Sequence, residues 1–220
     1  MADNVIIGIR SFFSRANAAE LEMQLRGAHK YFPEGRIIVA LCGEELPKSL
    51  KSYATKVFHY SKKPIGWTQP WRILTEYARS MNAKELIVVD GDSQHIFSEI
   101  RKVYEKNRGK VAVPERKRRI IFLSDSEISR VTLEDIENTF LRVKYGCRLK
   151  DPQPGLFMIL NRHALDKLNF EHVSPWIGDA AFLAQMYEHK IRIESPKVDV
   201  RSQTTTSLNL DIVFKGIEEL

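Results

Sequence analysis

The chain has 220 residues, of which 43% are hydrophobic and 28% charged, and these proportions exclude a disordered or a membrane-spanning protein. A net charge of +6 favours anionic partners such as nucleotides, phosphorylated lipids, membrane surfaces or nucleic acid. The length suffices for one sizeable domain over residues 1–220, and the two distant cysteines lack the spacing of a zinc site.

Strand and helix patterns alternate along the first half of the chain. Apolar runs predict strands at residues 4–9, 36–41, 57–60 and 86–89, and amphipathic patterns predict helices at 17–31 and 69–81. In the second helix, Trp71 has the spacing of a core residue. Such alternation is typical of βαβ units, so we expect an α/β, Rossmann-like fold with a mostly parallel central sheet flanked by helices. No glycine-rich dinucleotide turn and no phosphate-binding loop accompanies these strands.

The second half has a less regular pattern. It predicts helices at residues 96–106, 132–143 and 178–189, short strands near 111 and at 120–123, a strand at 155–160 and a final strand at 191–200. The stretch 116–130 is interpreted as a loop within the same domain, and such loops often carry function.

The fourth predicted strand leads directly into Asp90-Gly91-Asp92. Ligands of parallel sheets bind at the carboxyl ends of strands, and in an extended segment residues i and i+2 point the same way. Asp90 and Asp92 can therefore face one hard cation, Mg2+ or Mn2+, while Gly91 leaves room for a ligand. The alternative is an acidic turn that only solubilises the strand end. A calcium loop is excluded, because it would need glycine at His95 and glutamate at Arg101.

A basic cluster occurs at Glu115-Arg-Lys-Arg-Arg119. It is compatible both with binding of phosphate or lipid headgroups and with a solvated loop. No aromatic residue is interleaved with the basic ones, as an RNA-binding surface would require, so no nucleic acid is expected as a partner.

Four sequence pieces occur in a fixed order along the chain. They are Asp90-Gly-Asp92-Ser-Gln94, the segment from Asp151 to Gly155, Gly178-Asp179 before an apolar helix, and Arg201 after the last predicted strand. In this order they resemble the glycosyltransferase A fold, most closely the family-two-like branch that includes dolichyl-phosphate mannose synthases. The resemblance covers most of the chain. Pro154 stands where that branch has serine, and the branch's Gly-x-Ser-Lys does not follow Arg201.

The resemblance implies a role for each matched residue. A metal ion would be held by Asp90, Asp92 and Gln94, and its charge would stabilise a departing nucleoside diphosphate. Asp179 would be the general base toward a hydroxyl acceptor, or it caps a helix. Arg201 would bind the diphosphate or an acceptor phosphate, or it is a surface cation. The residues implied in nucleotide-sugar binding are Arg10, Ser11, Glu44, Arg72, Asp90, Gly91 and Asp92, and those of the acceptor loop are Asp151 and Gly155.

These features predict a metal-dependent glycosyltransferase that transfers a sugar from a UDP- or GDP-sugar to an acceptor that the sequence does not identify. The resemblance suggests a phosphorylated lipid and peripheral membrane contact, and a soluble acceptor is equally open. Two alternatives remain: a nucleotidyltransferase that forms a sugar nucleotide, and a non-catalytic basic module that binds RNA or membrane. The N-terminus has no features of a leader sequence, so we expect a cytoplasmic location.

Overall fold

Alternating strands and helices make up the protein, whose computed structural model describes residues 4–92, 96–117, 130–150, 157–175 and 177–199. The strands are β1 (Val5–Phe13), β2 (Arg36–Gly43), β3 (Lys56–Ser61), β4 (Glu85–Asp90), β5 (Val111–Ala112), β6 (Glu115–Arg116), β7 (Met158–Asn161), β8 (Ile193–Glu194) and β9 (Lys197–Val198). The helices are α1 (Ala18–Tyr31), α2 (Lys48–Lys51), α3 (Thr68–Ser80), α4 (Phe97–Lys106), α5 (Arg130–Tyr145), α6 (Arg162–Lys167) and α7 (Gly178–Glu188).

The central sheet has seven strands in the order β3-β2-β1-β4-β7-β5-β8. The first four are parallel to one another, β7 is antiparallel to both of its neighbours, and β8 is parallel to β5. A second, two-stranded sheet pairs β6 with β9. The predicted α/β fold with a mostly parallel sheet flanked by helices is therefore confirmed.

Two apolar layers cover the two faces of the sheet, because successive residues of a strand point to opposite sides. In β1, Ile6 packs in one layer with α3, α5, α6 and α7, whereas Ile7 and Ile9 pack in the other with α1, α2 and α4. Strands buried on both faces explain the unbroken apolar runs of the sequence. Because the strands are packed on both faces, their ends have defined positions, and these positions decide which polar side chains can meet.

The predicted final strand at residues 191–200 is wrong in one respect. The segment forms two separate two-residue strands, β8 and β9, which belong to different sheets. Pro196 lies between them and has no backbone N–H to donate to a ladder, while the Ser195 hydroxyl donates to the carbonyl of Val113. The strand predicted at 120–123 lies outside the described residues, and so do the first residues of the strand predicted at 155–160.

None of the helices in the described ranges has the length and apolar composition that crossing a bilayer requires.

The loop between β3 and α3 lies against the segment that precedes α7. The backbone N–H of Thr68 donates to the carbonyl of Pro175 at 2.9 Å. Gly66 has a φ of +98°, and a Cβ atom there would lie 2.0 Å from that same carbonyl oxygen. Glycine at position 66 therefore permits the close approach that joins the beginnings of α3 and α7.

We predict that Gly66→Ala destabilises the protein much more than Gly109→Ala. Gly109 also has a positive φ, of +74°, but a Cβ atom there would meet nothing within 4 Å. Both changes carry the backbone cost of a left-handed residue, about 1–3 kcal/mol, and only Gly66→Ala adds the collision with Pro175, for roughly 2 kcal/mol more. Urea unfolding of the two variants measures the difference, and equal free energies of unfolding would contradict the close approach.

Candidate functional site

A buried arginine lies in the second half of β1, level with the carboxyl end of β4. Arg10 is directly opposite Asp90 in the parallel register of β1 and β4. It is 2% exposed, and its Nε donates to Asp90 Oδ1 at 2.7 Å. The same guanidinium forms an ion pair with Asp179, in the first turn of α7. Two strands and one helix thus contribute charges to a single group at the edge of the sheet where α/β folds bind ligands.

Trp71 connects this charged group to the apolar core. Its indole Nε1 donates to Asp179 Oδ1 at 2.7 Å, and its ring stacks on Phe182 with centroids 5.0 Å apart. The Arg10 guanidinium carbon lies 5.3 Å from the centroid of the Trp71 ring and 5.9 Å from that of Trp67. Trp71 is a buried core residue, as its spacing predicts, and it also orients a carboxylate.

The N-cap alternative for Asp179 is wrong. The N-cap of α7 is Ile177, and Asp179 lies within the first turn, where its carboxylate receives Arg10 and Trp71. Both donors reach the same oxygen, Oδ1. The side chain therefore has a fixed orientation that a capping role would not provide.

Gly91 lets the acidic turn approach β1. Its backbone N–H donates to the carbonyl of Arg10 at 2.7 Å, and a Cβ atom at Gly91 would lie 2.8 Å from both Cβ and Oγ of Ser11. Ser11 itself is buried. The structure therefore brings together the predicted site residues Arg10, Ser11, Asp90, Gly91 and Asp179.

The charged group contains more carboxylates than cations. Burial raises the pKa of Asp90 from 3.8 to about 7; Arg10 opposes this shift, whereas Asp92 and Asp179 add to it. Burial by itself would lower the pKa of Arg10, but Asp179 and Asp90 outweigh it and raise that pKa further, so the guanidinium stays charged. One guanidinium thus lies among several carboxylates, and the group carries net negative charge whenever they are ionised.

Carboxylate oxygens at this place fit a hard divalent cation. Burial raises the pKa of Asp90, and Asp92 and Asp179 add to this shift, so a divalent cation bound there would stabilise the ionised carboxylate. Among the described residues no set of three or more His, Cys, Asp or Glu side chains is arranged to hold a metal ion. Asp90 and Asp92 alone would leave most coordination positions of a cation to other oxygen ligands, such as water or phosphate.

Two predicted nucleotide-binding residues lie apart from this group. Glu44 follows β2 on the surface, where its carboxylate lies 3.6 Å from Arg15. Arg72 is exposed on α3, pairs with Glu76 at 2.8 Å, and borders a surface cavity of about 690 Å³ next to residues 166–171. Among the described residues, no hydrogen bond or ion pair joins Arg72 to Asp90 or Asp179. Their part in nucleotide binding stays a prediction.

Several predicted residues lie outside the described part of the chain. These are Gln94, Asp151, Gly155 and Arg201. Of the basic cluster at 115–119, Glu115 is buried and accepts the backbone N–H of Lys150, and Lys117 pairs with Asp199. The described part of this cluster is therefore partly neutralised by its own neighbours.

Sequence reasoning missed the exposure of three apolar side chains, of which Trp67 lies against the charged group. Phe12, Ile65 and Trp67 are among the exposed large hydrophobic side chains, at 45%, 43% and 38%. Phe12 is opposite Cys42 in the register of β1 and β2, the Cys42 thiol contacts the carbonyl of Lys63, and Trp67 lies over Arg10. In the sequence, the apolar residues Ile65 and Trp67 in Pro-Ile-Gly-Trp, just after the third strand, could have indicated two of these side chains.

We predict that Asp90 makes the free energy of unfolding fall as the pH rises from about 4 to about 7. Its pKa is higher in the folded protein, about 7, than its ordinary 3.8, so the folded state binds the proton more tightly, and this stabilisation is lost as the pH rises through 7. Asp90→Asn cannot titrate and should lack that decline, so its stability relative to wild type should improve from pH 5 to pH 8. Urea unfolding across this range measures it, and parallel pH profiles would contradict the raised pKa.

No protein-family model matches the chain, and no curated protein matches it in sequence. Solved structures do match. Glucosyl-3-phosphoglycerate synthase from Mycobacterium tuberculosis, in complex with Mn2+, UDP and phosphoglyceric acid, is 12% identical with a TM-score of 0.65, covering 97% of this chain and 74% of that one. S. aureus TarS is 13% identical with a TM-score of 0.54, covering 89% of this chain and 36% of that one.

A third match is CMP:2-keto-3-deoxy-manno-octonic acid synthetase complexed with CTP, which is 10% identical with a TM-score of 0.52 over 89% of this chain and 90% of that one. At these identities the likeness establishes the fold alone. The chain has the nucleotide-diphospho-sugar transferase fold, which is the glycosyltransferase A fold that its sequence pieces resemble.

Proposed function

We propose that the protein is a metal-dependent glycosyltransferase that transfers a sugar from a UDP- or GDP-sugar to an acceptor. The observation that carries this proposal is the meeting of Arg10, Asp90 and Asp179 at the carboxyl edge of the parallel strands. Open α/β sheets bind their ligands at this edge. The neighbouring fold of the Mycobacterium tuberculosis synthase, which was crystallised with Mn2+ and UDP, supports the same assignment.

Asp90 and Asp92, with Gln94, are the residues we assign to the cation, Mg2+ or Mn2+. When bound, the cation supplies positive charge that stabilises the departing nucleoside diphosphate. Gly91 keeps the turn free of a side chain that would collide with Ser11, so the donor can approach the backbone there. The exposed ring of Trp67, at the rim of the site, offers an apolar face to the base or to the sugar.

Asp179 is the residue we assign to the acceptor. Arg10 and Trp71 both bind its Oδ1, which fixes the carboxylate and leaves Oδ2 as the atom that accepts a hydroxyl proton. Arg201 would bind the diphosphate or an acceptor phosphate, and the loop with Asp151 and Gly155 would border the acceptor. The acceptor is a hydroxyl or phosphate compound, in water or on a lipid surface to which the basic protein binds peripherally.

We predict that UDP or GDP together with Mn2+ raises the melting temperature, and that Asp92→Ala abolishes this rise. At a ligand concentration of about 100 Kd the stabilisation is about 2.7 kcal/mol, which is a rise of roughly 5–10 °C for a chain of this size. A thermal-shift series with each nucleoside diphosphate, with and without Mn2+, measures the rise and identifies the base.

Glu22→Ala is the matched control. Glu22 is a carboxylate on α1 that pairs with Arg26 on the surface, so its loss should leave the nucleotide response intact. Stabilisation that survives in Asp92→Ala, or that no nucleoside diphosphate produces in the wild type, would refute the proposed site.

A second function is favoured by one comparison. The synthetase complexed with CTP matches over 90% of its own chain, so a nucleotidyltransferase that forms a sugar nucleotide has a similar fold and size. Such an enzyme binds a nucleoside triphosphate and releases pyrophosphate. Stabilisation by CTP or UTP that exceeds that by the diphosphates, with pyrophosphate release on addition of a sugar, would select this function instead.

A further inference from the structure

Arg10 is buried among two carboxylates and two indole rings. Its side chain is 2% exposed, both Nε and a terminal nitrogen lie 2.7 Å from Asp90 Oδ1, and another terminal nitrogen pairs with Asp179. Two indole rings, those of Trp67 and Trp71, lie within 6 Å of the guanidinium carbon. An arginine cannot lose its proton at any working pH, so this charge stays in the site.

The two carboxylates that Arg10 holds are also those the proposed reaction needs. Asp90 belongs to the pair assigned to the cation, and Asp179 is assigned to the acceptor. Two cations close to the same carboxylate repel each other, and partial burial strengthens that repulsion because solvent screens it less. The side chain of Asp90 is 15% exposed, so solvent would screen little of the repulsion between the guanidinium and a second cation there.

We infer that Arg10 is a resident cation that competes with the divalent ion for Asp90 while it also holds Asp179. It is a positioning residue: it holds the two carboxylates together by itself and lowers the affinity of the site for metal. This inference rests on the proposed function in so far as a divalent cation is the ligand of Asp90. The rival role is purely structural, in which Arg10 stabilises the fold and prearranges the carboxylates for the metal.

The two roles predict opposite changes in the affinity for metal when the charge of Arg10 is removed. If Arg10 competes, removing its charge raises the affinity of the site for Mn2+, by about tenfold or more for a charge within roughly 5 Å. If Arg10 only prearranges the site, its removal disorders Asp90 and Asp179, and the affinity falls or does not change.

Calorimetric titration with Mn2+ alone decides between them, on the wild type and on Arg10→Gln. We expect Arg10→Gln to bind Mn2+ at least about tenfold more tightly. Arg10→Lys keeps the charge, but an ammonium cannot bridge two carboxylates as a guanidinium does, so we expect a smaller gain of about threefold. Circular dichroism verifies that each variant is folded.

Arg101→Gln is the matched control, because Arg101 on α4 is also partly buried and pairs with two carboxylates, Glu34 and Glu105. It should leave Mn2+ binding unchanged. Equal or weaker binding in Arg10→Gln overturns the inference. If Arg10→Gln does not fold, the Mn2+ affinity of Arg10→Lys decides instead: tighter binding supports the inference, and equal or weaker binding overturns it. Failure of both variants to fold assigns Arg10 a structural role and also overturns the inference.

The inference and the proposed function fail separately. Mn2+ binding by Arg10→Gln, with none measurable in the wild type, supports the inference whatever nucleotides do. Absence of Mn2+ binding in every variant overturns it, whereas stabilisation of the wild type by UDP in the same solution would still support nucleotide binding.

Discussion

The positive charge of Arg10 is the constraint on which the arrangement of the site depends. A charge buried without a partner costs several kcal/mol, so the fold must deliver carboxylates to it. The register of β1 and β4 supplies Asp90, and the start of α7 supplies Asp179. Two strands and one helix are therefore held in place by one side chain, and none of the three can shift without leaving a charge unpaired.

Close backbone approach is the second requirement. A Cβ atom at Gly178 would lie 2.8 Å from Trp71 and 2.9 Å from the Cα of Thr68, so glycine lets α7 begin directly against α3. Only from there does the next residue, Asp179, reach both the indole of Trp71 and the guanidinium of Arg10. Small residues thus create the geometry, and the polar side chains then fix it. The electrostatic group and the core packing around Trp71 are for this reason one structure.

The sequence predicts the parallel half of the fold well, because unbroken apolar runs and helix periodicity are local signals that burial on both faces preserves. It also places Asp90 at a strand tip. It does not predict the partners of Arg10, since Asp179 is 169 positions away and only the tertiary fold brings them together. The sequence therefore predicts only a nucleotide-binding role for Arg10, and that role stays a prediction. The division of the last strand was visible in the sequence, because Pro196 breaks any ladder there.

A site built on shared carboxylates links ligand binding to local packing. Any cation that draws Asp90 or Asp179 away from Arg10 removes part of what fixes the start of α7 and the tip of β4. The hydrogen bond from Trp71 still holds Asp179 when Asp179 is drawn away from Arg10. By reciprocity, the free energy by which a bound cation favours opening of the start of α7 equals the free energy by which that opening strengthens binding of the cation. The contacts of Arg10 with Asp90 and Asp179 therefore stabilise the fold and at the same time oppose binding of a cation to these carboxylates.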